Sequence, residues 1–265
     1  MGKERVEAGQ GRGKEVVKGG AQGPRKKGGA VKQRGGKRGF YIVLAVVLIV
    51  GITALSYMAT RPTQTVTQID STIAPVPNQG HVIGSDSAPV EVVEFADFEC
   101  PACGSFATLT EPDVRSRLVN SGIVRFRFMD FPLAMHRNTW SAHRAAWCAA
   151  EQNKFWEMHD ALFQNQDRWN GETTSRPDRV ISDLAKQLGL NMTQYAGCIT
   201  SRKFQAQIQA NVNEGNRLQV PSTPTFIIGN KRVTTALSYD EFKRHVDEAL
   251  ASARPATGTK ATKTK

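Results

Sequence analysis

Only four cysteines stand in 265 residues, and they lack the company that a structural zinc site requires. Cys100 and Cys103 have the C-x-x-C spacing of half a finger, but Cys148, Cys198, His136, His143 and His159 fall at no spacing that supplies the other half, so no metal site is assigned. Acidic residues are scarce at both ends. Residues 1–39 hold twelve Lys and Arg against Glu4, Glu7 and Glu15, a net charge of +9, and the tail from Ser252 carries +4; of the total +11 this leaves −2 for everything between. The high overall basicity therefore gives the folded part no reason to bind nucleic acid, although such a role for the basic segment stays open. Residues 1–39 are also glycine-rich and lack apolar periodicity, which excludes a core of their own and predicts a disordered segment. A repeat of the C-x-x-C segment and a dimerisation domain are missing too, so a monomer is expected, and no cofactor is assigned.

Charge is absent from Phe40 to Ala59, a run of 20 residues that at about 1.5 Å per residue spans roughly 30 Å of hydrocarbon. Residues 40–59 are therefore read as a transmembrane helix. Lys37 and Arg38 stand just before it, so the positive-inside rule puts the N-terminus in the cytoplasm and the rest of the chain outside. A cleaved signal peptide is the alternative, opposed by the length of the run and by Tyr57, which spoils a small-x-small site before Ala59. Residues 60–80, rich in Thr, Gln and Pro, read as a flexible linker. Export places the domain beyond the linker in an oxidising compartment that permits disulfides.

From residue 81 the pattern is α/β. His81–Ile83 and Val90–Phe95 read as strands, the second a central one because Val90, Val92, Val93 and Phe95 put apolar side chains on both faces. Ser105–Leu118 suits a helix, interrupted near Pro112 and ending near Gly122, and Ile123–Phe131 is another strand. Helical spacing then recurs over Thr139–Gln152, Lys154–Gln164, Pro177–Leu188 and Met192–Leu218, an insertion covering about 136–218. Thr225–Ile228 and Lys231–Thr234 read as a hairpin through Gly229-Asn230, and Tyr239–Leu250 as a closing helix. This order predicts a thioredoxin-like α/β fold with a helical insertion over residues 81–251, preceded by the single membrane helix, with 252–265 a disordered basic tail.

The C-x-x-C pair lies at the strand-to-helix junction. Cys100 is therefore expected at a helix N-terminus, where free backbone N–H groups and the helix dipole favour a thiolate, and Pro101 suits the first helical position. Two thiols so placed can close and reopen a local disulfide, the chemistry of thiol exchange. Glu94, six residues before Cys100, shares a strand face with Val90 and Val92. Buried there it would have a raised pKa and could shuttle the proton of Cys103; a Glu pointing to solvent is the alternative. Glu99 opposes a thiolate at Cys100 and is expected to face solvent. With Cys100 and Cys103 partnered, Cys148 and Cys198 remain for each other. A bridge between them closes a loop of roughly 50 residues, for which the chain-entropy model gives about 4 kcal/mol; two separately buried thiols are the alternative. Trp140, Trp147, Phe155, Trp156 and Phe163 read as core of the insertion or, in part, as the lining of a peptide groove.

Over roughly residues 80–250 the chain resembles the DsbA-like thiol:disulfide oxidoreductases of the thioredoxin superfamily, in their membrane-anchored bacterial branch. The resemblance rests on Ala88-Pro89-Val90, Glu94-Phe95-Ala96-Asp97-Phe98-Glu99 before the cysteines, Asp130-Phe131-Pro132-Leu133, Lys154-Phe155-Trp156-Glu157-Met158-His159 and Val220-Pro221-Ser222-Thr223-Pro224-Thr225-Phe226. It implies a cis Pro224 packed beside the redox pair, Thr223 touching the reactive sulfur, and a buried acid at Glu94. It also implies donation of the Cys100–Cys103 disulfide to exported proteins with cysteine thiols, and re-oxidation by a quinone-coupled membrane partner of the DsbB or vitamin-K-epoxide-reductase kind. Pro-Ala between the cysteines resembles the Pro-x of oxidases more than the Gly-Pro of reducing thioredoxins. A reductase or isomerase, and a copper-delivery protein using the Cys pair with a nearby His, are the alternatives.

Overall fold

The computed structural model describes residues 36–59, 65–69 and 79–253; the basic N-terminal segment, most of the expected linker and the C-terminal tail lie outside them. The first described element, α1 (Gly36–Ala59), contains the uncharged run and takes Lys37 and Arg38 into its first turns. From Lys37 to Met58 it is long and apolar enough to cross a membrane, about 33 Å at 1.5 Å per residue, and its apolar side chains are exposed, as lipid contact requires. The chain divides after Arg61, and a second compact unit begins at Pro62.

Among the described residues that unit has six strands: β1 (Thr65–Gln68), β2 (His81–Ile83), β3 (Val90–Ala96), β4 (Val124–Asp130), β5 (Thr225–Ile228) and β6 (Lys231–Thr234), in the order β1-β6-β5-β3-β4-β2. Only β3 and β4 run parallel; the other pairings are antiparallel. β3 is covered on both faces, which is why its sequence is apolar at successive positions. On one face Val90 and Val92 pack with Phe106, Phe126, Phe226, Phe242 and Val246; on the other Val93 and Phe95 pack with Met129, Phe131 and Ile227. Each such side chain contributes about 1.5–3 kcal/mol of burial.

β1 corrects the reading of residues 60–80 as linker throughout. Thr65–Gln68 pairs with β6 from Thr234 to Lys231, so a Thr- and Val-bearing piece of a polar segment serves as the sheet's edge. After β3 the helical stretch does not stop at Pro112. It runs through α2 (Pro101–Ser105), a π-helical segment Phe106–Thr110, α3 (Glu111–Val114) and a second π-helical segment Arg115–Val119. The wider i→i+5 winding on either side accommodates a proline that donates no hydrogen bond.

The insertion between β4 and β5 comprises α4 (Thr139–Ala150), α5 (Phe155–Gln164), α6 (Gln166–Trp169), α7 (Pro177–Gln187), α8 (Met192–Ser201) and α9 (Gln205–Arg217). The expected single helix over Met192–Leu218 is two, because Arg202 adopts a left-handed conformation (φ 52°) that ends α8 and lets α9 turn back along the core. Cys148 on α4 and Cys198 on α8 are joined by a disulfide with a Cα–Cα distance of 5.8 Å. The insertion packs around Met158, Leu162, Trp169, Ile181 and Leu184 in a core that it shares with Ala96, Phe98, Cys103 and Phe128. It is tied to the sheet at the end of β4, where buried Asp130 accepts hydrogen bonds from Trp147 (2.7 Å) and Asn211 (2.6 Å) and pairs with His143 (2.5 Å). α10 (Tyr239–Ala253) closes the unit over β3 and β5.

Candidate active site

The dithiol sits where β3 gives way to α2. Asp97, fully buried, fixes the turn between them: its carboxylate accepts from Glu99 N (2.8 Å), Leu133 N (2.7 Å) and the Thr139 hydroxyl, and pairs with His136 Nδ1 at 2.7 Å. Burial alone would raise the Asp97 pKa; the bonds from His136, Leu133 and Thr139 hold it below the ordinary carboxylate range, and the same contact raises His136. Cys100 then stands at the N-cap of α2 in extended conformation, with Pro101 opening the helix. Its position follows from local chemistry: an extended residue, a proline with preset φ, and backbone N–H groups left free by the first helical turn.

The two thiols are unbridged and differ in environment. Cys100 is 7 % exposed, and its pKa is lowered to about 6, first by the hydrogen bond from the Cys103 thiol, against the opposing effect of burial, then by Thr223 and the N–H groups of Cys103 and Ala102. Cys103, with no exposed surface, is pushed well above the usual thiol range by burial, by the bond it gives Cys100 and by the charges of Cys100 and Glu94. One sulfur is thereby made a nucleophile and leaving group and its neighbour a proton acceptor.

Across from Cys100 the loop before β5 presents Thr223, joined to Pro224 by a cis peptide bond. The Cys100 thiol donates to Thr223 O at 3.4 Å, and the buried Thr223 hydroxyl has no partner in this dithiol form, which leaves it available to donate to a thiolate. Glu94, 2 % exposed, lies on β3 between Phe128 and Phe226, so the solvent-facing alternative does not describe it. Burial raises its pKa well above the carboxylate range, helped by the charge of Glu111 and opposed by that of Arg115.

Glu99 departs from expectation. It is buried, not solvent-facing, because its carboxylate accepts from Asn138 N (2.7 Å) and Gly171 N (2.5 Å) of the insertion, partners that lie 39 and 72 residues away and leave no local signal. Sequence reasoning also missed Gln166 on α6: its amide donates to Phe98 O (2.7 Å) and Cys100 O (3.0 Å) and so holds the cysteine turn from outside. His136, which lies at no metal-ligand spacing and is given no role by the sequence, faces a cavity of about 340 Å³ that Pro101 and Met135 also line, with Nδ1 engaged by Asp97. Among the described residues no group of three or more His, Cys, Asp or Glu side chains is placed to hold a metal ion.

A C-x-x-C pair capping the helix after a central strand, faced by a cis-proline loop, is the dithiol site of a thioredoxin-like protein. The model of the thioredoxin family matches residues 77–248, and the chain belongs to that family. It is 27 % identical over 172 residues to disulfide bond formation protein D of Bacillus subtilis, covering 64 % of this chain and 76 % of that one. Its fold matches the crystal structure of oxidised BdbD from Bacillus subtilis with a TM-score of 0.59 at 24 % identity, over 72 % of this chain and 100 % of the other. It is also 36 % identical over 187 residues to Na(+)/H(+) antiporter NhaA 3 of Salinispora tropica, a match that takes in 70 % of this chain but 27 % of the antiporter. The chain thus spans about a quarter of the length of the antiporter relatives it matches.

Proposed function

We propose that the chain is a thiol:disulfide oxidoreductase, anchored by α1 with its N-terminus in the cytoplasm, that donates the Cys100–Cys103 disulfide to exported proteins. The opposed environments of the two sulfurs carry this reading. A substrate thiolate attacks Cys100, the Cys100–Cys103 bond breaks, and Cys103 leaves with the electron pair and takes a proton, for which buried Glu94 is the donor. A second substrate thiolate attacks the substrate's sulfur in the mixed disulfide, forming the substrate disulfide, and Cys100 departs as a thiolate held by the Cys103 thiol, Thr223 and the α2 amides. Stabilising that thiolate favours the reduced form, which makes the disulfide an oxidant. A quinone-coupled membrane partner would restore the disulfide. The name of the Bacillus relative, a disulfide bond formation protein, supports the same direction.

Equilibrating the full-length protein with glutathione buffers tests the direction. A potential well above thioredoxin's roughly −270 mV is expected, and one at or below it would turn the assignment to a reductase. In cells, Cys103→Ser should accumulate mixed disulfides through Cys100; a variant that traps nothing would remove the exchange mechanism. Protease treatment of intact cells should digest the domain from outside, whereas protection of residues beyond 62 would reverse the proposed orientation.

A further inference from the structure

The insertion holds a cavity that the exchange chemistry leaves unused. It lies where α4, α7 and α8 meet, measures about 370 Å³ and shares no residue with the cavity beside Pro101 and His136. That size falls within the range of small-molecule sites, roughly 300–1,000 Å³. Its apolar wall includes Ile181 of α7 and Ile199 of α8.

Two polar side chains on the cavity are short of partners. Tyr195 of α8 is 5 % exposed, yet its hydroxyl hydrogen-bonds to no described residue; the hydroxyl is not among the atoms sealed from solvent, so it opens into the cavity that Tyr195 lines. Burial raises the phenol above its ordinary range, which keeps it a donor. Arg144 of α4, half-buried, makes one hydrogen bond to a described residue, from Nη2 to Ser141 Oγ at 3.3 Å, and no described carboxylate lies within ion-pair distance of it. A guanidinium carries five N–H donors in a planar fork, so most of this one's capacity is unused. Buried polar groups are normally satisfied, and a phenol and a guanidinium facing one cavity call for an acceptor from outside.

The surroundings narrow what that acceptor is. Arg179 also lines the cavity, and Arg202, at the end of α8, adds its charge beside Arg144, against the single carboxylate of Asp178. An anion is therefore favoured. A carboxylate's two oxygens are satisfied by the guanidinium fork and the phenol, whereas a phosphate brings a third oxygen and a second charge toward the isoleucines and Asp178. At about 30 Å³ per non-hydrogen atom, the share of liquid volume that a water molecule takes, the cavity holds on the order of a dozen. The two donors are also held in place. Cys148 stands one turn beyond Arg144 on α4 and Cys198 one turn beyond Tyr195 on α8, so the disulfide fixes their spacing before any ligand arrives.

We propose that this cavity binds a small organic monocarboxylate with an apolar body, its carboxylate taken by Arg144 and the Tyr195 hydroxyl and its body laid against Ile181 and Ile199. The Tyr195 hydroxyl then serves binding and contributes nothing to folding. The site stands apart from the dithiol and does not depend on the direction of exchange.

The test is calorimetric titration of the full-length protein, in detergent and with the Cys148–Cys198 disulfide intact, with phenylacetate, 3-phenylpropionate and hexanoate. At least one should bind saturably at one site per chain and raise the melting temperature. The amide of that compound, which keeps the shape and loses the charge, and phenyl phosphate should each bind at least about tenfold more weakly. Tyr195→Phe should weaken binding about tenfold and Arg144→Met about a hundredfold, the range that a hydrogen bond to a charged group spans. Without ligand, Tyr195→Phe should melt at or above the wild-type temperature, because its hydroxyl has no partner to lose. Lower melting with unchanged binding would make the hydroxyl structural and overturn its role. Absence of saturable binding by all three carboxylates up to about 10 mM, or equal affinity of the amide, overturns the site, and tighter binding of phenyl phosphate overturns the carboxylate. If Arg144→Met fails to fold, Tyr195→Phe, which removes a single oxygen, decides.

Discussion

The two cysteine pairs use the same atoms to opposite ends. Cys148 and Cys198 join two helices of the insertion, far apart in sequence, and are sealed in its apolar core beside Leu190 and Tyr195. Cys100 and Cys103 are two residues apart on one turn, the first at a helix N-terminus within reach of Thr223, the second buried near Glu94. A disulfide between helices restrains the unfolded chain, whereas one within a single turn closes almost no loop and its formation is governed by how well each sulfur tolerates charge. Environment, not the sulfur–sulfur bond, therefore separates a staple from a reagent. The exchange proposed for the first pair and the indifference expected of the second are the two halves of this contrast, and each can be broken by experiment.

The largest effect should come from the asymmetric pair. Cys100→Ser should abolish exchange, and in the wild-type dithiol form thiolate absorbance should titrate with a midpoint near 6 at Cys100, against about 8.5 for a free thiol. The folded pKa lies below the unfolded one, so this group's contribution to the stability of the reduced protein is complete above about pH 8.5 and is lost as pH falls through about 6. Melting of reduced and oxidised protein across that window checks it: the gap between them should shrink toward acid. A midpoint at the free value would erase the distinction between the pairs.

The opposite result is expected at the staple. Cys148→Ala with Cys198→Ala should lower unfolding stability by about 2–4 kcal/mol while the rate of exchange at Cys100 stays unchanged, because the side chain and carbonyl of Cys100 are hydrogen-bonded to Thr223 and Gln166, neither of which lies on α4 or α8. Denaturant unfolding beside a peptide-oxidation assay separates the two readouts. Loss of exchange in the double variant would mean that the staple holds the redox site in shape, and an unchanged midpoint would mean that it staples nothing.

The difference between the pairs also marks how far the sequence could be read. The C-x-x-C spacing, the alternation that makes β3 central and the Val220–Phe226 loop are local patterns, and the structure brings Cys100, Cys103, Glu94 and Thr223 into one site. What escaped was set by partners distant in the chain. Glu99 reads as a surface charge, but amides of Asn138 and Gly171 close over it, and Thr65–Gln68 reads as linker because its partner is β6. The break between α8 and α9 turns on a non-glycine residue at positive φ, which helical periodicity does not reveal.

The smallest effect concerns how the insertion braces the active turn. The Gln166 amide supplies hydrogen bonds to two backbone carbonyls of that turn, and Gln166→Ala should cost about 1–2 kcal/mol and move the Cys100 midpoint by less than about one unit. Gly104 reports the same contact from inside. A Cβ there would lie 3.0 Å from Gln166 Oε1, so Gly104→Ala alone must shift the glutamine by a few tenths of an ångström and weaken its bonds to the carbonyls, which offsets the roughly 0.5–1 kcal/mol that alanine gains over glycine in a helix. In a Gln166→Ala background that obstruction is gone, and Gly104→Ala should become stabilising. The change of sign between the two backgrounds, read from denaturant midpoints as a double-mutant cycle, is the measurement; the same Gly104→Ala effect in both would show that Gln166 does not brace the turn and that the insertion reaches the dithiol through Glu99 and Asp97 instead.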